Sequence, residues 1–175
     1  MGKGYSRFDS SLIQTKLMDG ADPNVVFNRI NDTEVWPNSL GLRPLHLVFF
    51  GGQGRAFKRH QLRAIRSLLT YGADVHATMH NGNTPLHLAY QFSKTDPNPH
   101  KDHNASCGCP IGVLLSWGAD TMALNSNGET PEACYKSDQE RIRCRQIQSE
   151  EDKGKCLDIV EQTRLKNKKA MEDSR

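Results

Sequence analysis

The sequence lacks any apolar run near the roughly 18 residues that a membrane-spanning helix needs. It also has no N-terminal apolar stretch of the secretory kind. The expectation is a soluble chain in the cytoplasm or nucleus. Catalytic signatures are missing too. Gly51-Gly52-Gln53-Gly54 is not followed by the Gly-Lys-Ser/Thr of a phosphate loop. No acid/base pair, nucleotide fingerprint or triad stands at recognisable spacing, so an enzyme is the least supported class. Acidic residues are locally absent: between Val35 and Ala73 there is no Asp or Glu, yet Arg43, Arg55, Lys58, Arg59, Arg63 and Arg66 all lie there. The formal charge of the whole chain is only +3, so overall balance does not call for nucleic acid. The basic patch is a local feature, either a solvated face or a contact for an acidic protein, anionic lipid or nucleic acid.

What the sequence does contain is recurrence. Asn83-Thr84-Pro85-Leu86-His87-Leu88-Ala89 is echoed by Arg43-Pro44-Leu45-His46-Leu47 before it and by Glu129-Thr130-Pro131-Glu132-Ala133 after it. Gly-Ala-Asp occurs at Gly20, Gly72 and Gly118, each time behind an apolar helical run. Thr84 suits an N-cap and Pro85 the first helical position, where a missing N–H costs nothing. The glycines stand where a helix must stop in the left-handed conformation. Asn81-Gly82 and Asn127-Gly128 supply turn chemistry for a hairpin between one exit and the next entry. Each unit therefore reads as hairpin, helix, helix.

At these residues the chain resembles the ankyrin repeat family, and the resemblance covers roughly residues 10–136. It implies an all-α repeat solenoid of about three to four helix-turn-helix units, degenerate caps included. The step from Gly72 to Pro85 and from Gly118 to Pro131 is 13 residues, as the family hairpin requires. Elsewhere the array is decorated, with insertions at 22–42, 51–60 and 93–106. Residues 1–9 form a leader, and 137–175 a C-terminal cap helix with a polar tail. The array opens on a half unit, Leu12, Ile13 and Leu17, whose apolar face is either capped by Tyr5 and Phe8 or covered by a partner. Glu132 and Ala133 replace the motif's Leu and His, as a terminal unit with a wettable face should.

The resemblance also implies a monomeric, non-catalytic module that binds a partner protein through its concave surface. Carried over, that surface takes His80, Asn81, Asn83, Gln91 and Phe92 from the central unit, Asn127 and Glu129 from the last, and Leu42 and Phe50 from the earlier one. His46 and His87 match the motif histidine, whose family role is to bond between units. In the enlarged hairpin, Phe27 and Ile30 read as core, and Trp36 as either core or an exposed anchor.

Two further patterns carry chemistry. Met1-Gly2-Lys3-Gly4-Tyr5-Ser6 fits N-myristoylation at Gly2, and with the basic stretch it would make a membrane-surface adaptor. The alternative is a plain disordered start. His100, His103, Cys107 and Cys109 fall within ten residues and could hold tetrahedral zinc, although the single residue between the two cysteines matches no common finger. Without zinc they are ordinary loop residues and the chain has no cofactor. Five cysteines, an odd number without a secretory leader, are expected to be thiols.

Overall fold

A computed structural model describes residues 10–27, 41–50, 59–92, 109–146 and 150–173. Its regular elements are helices: α1 (Ser10–Met18), α2 (Pro44–Phe50), α3 (Arg59–Thr70), α4 (Pro85–Phe92), α5 (Pro110–Ser116), α6 (Pro131–Arg145) and α7 (Glu150–Asp173). Among the described residues there is no strand. A single antiparallel bridge, Phe27 N–H to the Leu42 carbonyl at 2.7 Å, closes the enlarged hairpin at its base.

Local chemistry sets the helix boundaries. Proline opens α2, α4, α5 and α6, at the position where its ring suits the helix and no donor is lost. The Thr130 hydroxyl accepts from the Ala133 N–H as N-cap of α6, and the Cys109 sulfur does the same from Gly112 at α5. The exits of α1, α3 and α5 are superposable in their bonding. Gly20, Gly72 and Gly118 have φ of +88°, +89° and +82°. The alanine after each glycine donates five residues back, to Lys16, Leu68 and Leu114, at 2.9–3.0 Å. These are Schellman stops. The aspartate that follows then accepts from the N–H two residues on, in Asp22, Asp74 and Asp120. Gly-Ala-Asp thus spells helix stop and Asx turn in one tripeptide.

Packing arranges the helices in two layers. Helices α2, α4 and α6 lie side by side, α1, α3 and α5 do likewise, and α2 faces α3 as α4 faces α5. The core runs between the layers through Leu45, Val48, Phe49, Ala64, Ile65, Leu68, Leu86, Ile111 and Leu114. Along α3, Ile65, Leu68 and Leu69 are buried and Leu62 is half-buried against the core, while Arg63 and Arg66 are exposed. Phe27 is half-buried against this core, as its apolar setting suggested. Ile30, Trp36, Tyr5 and Phe8 lie outside the described residues.

The hairpins touch one another through glycine. Gly41, Gly82 and Gly128 occupy the corresponding place, three residues before each helix-opening proline, with φ of +80°, +74° and +70°. A methyl group on Gly82 would stand 2.7 Å from the Ser126 nitrogen in the next hairpin. On Gly128 it would stand 2.9 Å from the carbonyl oxygen of Asn167, in α7. Helix α7 therefore lies against the last tip as a further hairpin would. Val160 is its buried apolar contact, and Cys144 joins Cys156 in a disulfide across α6 and α7, with Cα atoms 5.5 Å apart. The expectation of five thiols is corrected here: α6 and α7 lie against each other, which brings two cysteines 12 residues apart into bonding reach. Cys109 is disulfide-bonded as well.

Candidate functional site

The two motif histidines are built into the stack. The Arg43 N–H donates to His46 Nδ1 at 3.1 Å, so the ring proton sits on Nε2, which donates to the Ala77 carbonyl in the following hairpin at 3.1 Å. His87 repeats the arrangement, accepting from the Thr84 N–H at 3.2 Å and donating to the Glu129 carbonyl at 3.0 Å. Both rings are wholly buried. Burial holds His46 down to about 4, against a smaller raising effect of its bond to Ala77. Burial lowers His87 in the same way. Every ring nitrogen is occupied by backbone, leaving none for substrate or metal.

Three residues expected on the partner-facing surface are interior instead. Leu42 is buried in the core. Asn83 is buried, and its side-chain oxygen accepts from the Asn125 amide at 3.0 Å. Glu129 is buried because α7 covers it: Arg164 grips both carboxylate oxygens, Nε at 3.0 Å and an Nη at 3.3 Å. Burial alone would raise the Glu129 carboxyl, but hydrogen bonds from Arg164, Ser137 and Asn125, with the charge of Arg164, hold it below its usual value. These positions turn inward because each hairpin is roofed by the next, and the last by α7.

The remaining described members of the set form a discontinuous strip. His80 and Asn127 are exposed at neighbouring tips, and Asn81 between them is half-buried. The tips are tied by the Ser126 N–H to the Asn81 carbonyl at 3.0 Å. Along the α2/α4 layer, Phe50 and Phe92 meet edge to face with ring centroids 5.7 Å apart. Gln91, beside Phe92, donates to Asp138 at 3.0 Å and to the Cys134 sulfur at 3.3 Å, so its amide is engaged with α6. The Cys134 thiol is buried and pushed up to about 12, chiefly by burial and then by Asp138 and Glu129.

Trp36, Gly2, Arg55, Lys58, His100, His103 and Cys107 lie outside the described residues, as does the side chain of Arg59. Cys109, the one described member of the zinc set, is in a disulfide, and a disulfide sulfur is not the thiolate that zinc requires.

The sequence reading missed two things. One is Arg164, whose partner stands 35 residues away. The other is the last hairpin, where Met122 and Leu124 are 72% and 49% exposed. Counting back from the tips, they correspond to His76 and Thr78 of the preceding hairpin. That polar-to-apolar exchange was the available signal. Compared with known proteins, the chain matches no family model and no curated protein.

Proposed function

We propose that this chain is an ankyrin-type repeat solenoid and a non-catalytic module that binds a partner protein along its hairpin tips and the α2/α4 layer. Support for the repeat comes from the three equivalent Gly-Ala-Asp exits, the two stacked histidines and the tip glycines that let one hairpin sit on the next. The observation that carries the binding surface is the exposure of Met122 and Leu124, two residues apart in the last hairpin. Apolar side chains held in water beside a polar rim mark a contact surface. His80 and Asn127 supply that rim, and the Phe50–Phe92 pair gives a rigid aromatic floor further along the layer. A non-catalytic reading agrees with histidines bonded to backbone and a buried, high-pKa thiol.

The test is capture from cell lysate at high salt, comparing the natural chain with His80→Glu and Met122→Glu. Both positions are exposed, so neither change should move the melting temperature. The expected result is one discrete protein held by the natural chain and lost from both variants. A protein captured equally by all three would place the contact elsewhere and defeat this surface.

A further inference from the structure

A second surface lies on the opposite layer. Between α1 and α3 there is a groove of about 330 Å³ lined by Ser11, Gln14, Arg63, Arg66 and Ser67. Every lining side chain can donate a hydrogen bond and none is a carboxylate. We propose that this groove binds a phosphate monoester, with the guanidiniums of Arg63 and Arg66 as its clamp.

Helical spacing puts the two arginines together. They are three residues apart on α3, and Ile65, Leu68 and Leu69 take the opposite face into the core. Ser67, four residues after Arg63, completes the same side. Like charges one turn apart repel, and among the described residues neither guanidinium has a carboxylate partner. Arg43, in the same acid-free stretch, does have one: Asp74 at 3.5 Å. Helix α1 brings no acid to the groove either, since its sequence is SSLIQTKLM. A bound dianion would relieve the repulsion directly.

The residue types narrow the ligand. Paired guanidiniums offer planar forks that match phosphate oxygens, which an ammonium does not. Serine hydroxyls and a glutamine amide add neutral donors suited to the ester oxygen or to hydroxyls of the attached alcohol. The groove, about 330 Å³ and open to solvent, has room for more than bare phosphate. It is a single concavity, and a nucleic-acid strand needs a longer charged track. The site is separate from the hairpin tips, so it does not depend on the partner-binding proposal.

The test is titration of the full chain with inorganic phosphate and glycerol 3-phosphate, followed by amide shifts of Ser11, Gln14 and Ser67. Arg63→Gln, Arg66→Gln and Arg63→Lys are run beside it. The expected result is saturable binding, tighter for the ester. It should weaken by about tenfold or more in either glutamine variant and by less in Arg63→Lys, with unchanged melting. Sedimentation with phosphatidylcholine vesicles carrying phosphatidic acid or phosphatidylserine separates the sources. Preference for phosphatidic acid assigns the monoester to a lipid headgroup; soluble binding without vesicle binding assigns it to a free metabolite. Absence of saturable shifts, equal binding to both vesicles, displacement of the ester by a short single-stranded RNA, or variants that bind like the natural chain would each overturn the site.

Discussion

At the scale of single residues, the strongest commitments are the buried charges and the neutral histidines. Arg164 is the cation opposite Glu129, whose side chain is 1% exposed. Removing one partner of such a pair leaves a charge without compensation, so Arg164→Met should cost roughly 3 kcal/mol in urea unfolding. Adding Glu129→Leu should return much of that, because an apolar pair suits the site better than a lone carboxylate. A double variant as unstable as the single one would mean that the pair is not coupled. The histidines give a pH dependence of fixed sign. The unfolded imidazole titrates near 6.5 and that of folded His46 near 4, so between those values the unfolded chain holds more protons and stability rises with pH. The contribution is complete above about 6.5 and fades as pH falls toward 4, on the order of 3 kcal/mol in all. His87 and Glu129 are lowered too and act in the same direction, Glu129 further into acid. The urea midpoint should therefore fall between pH 7.5 and pH 5. A midpoint that held steady, or rose, would contradict buried neutral rings.

At the scale of elements, the glycines separate two roles that look alike in the sequence. Gly72→Ala meets only the cost of positive φ, roughly 1–2 kcal/mol, because nothing lies within 4 Å of the added carbon. Gly82→Ala meets that cost and a methyl 2.7 Å from the Ser126 nitrogen, so a further 1–3 kcal/mol, roughly, is expected. Equal losses would mean that the hairpins are not in contact. The disulfide makes a second prediction. Cys144–Cys156 closes a short loop, and its reduction should lower the unfolding free energy by about 3 kcal/mol in the chain-entropy account. The readout is the urea midpoint of the natural chain against Cys144→Ser/Cys156→Ser, both without reductant, because dithiothreitol would open the Cys109 disulfide as well; equal midpoints would contradict the prediction. The helix boundaries were legible because the helix-opening prolines and Gly-Ala-Asp act within a few residues of themselves. The inward turn of Leu42, Asn83 and Glu129 was not, because their burial depends on what roofs each hairpin. For Glu129 the roof is α7, a highly charged helix whose docking rests on Val160, Arg164 and one disulfide. No periodicity in the sequence announces such a contact, and the pairing of Cys144 with Cys156 follows only once α6 and α7 are known to touch.

For the whole molecule, two layers have two chemistries. The α2/α4/α6 layer ends in hairpin tips with exposed Met122 and Leu124, and the α1/α3 face carries an acid-free groove. Helix α7 abuts Gly128, its Asn167 carbonyl oxygen standing 2.9 Å from where a methyl group on that glycine would lie, and so covers that side of the last hairpin. The most direct measurement of the central claim is amide hydrogen exchange on the chain alone and in complex with the protein it captures. The account predicts slowed exchange at residues 79–82 and 121–128, extending to 90–92, while the α1 and α3 amides are unchanged. Slowed exchange confined to α1 and α3, with the hairpin tips exchanging as freely as before, would contradict it.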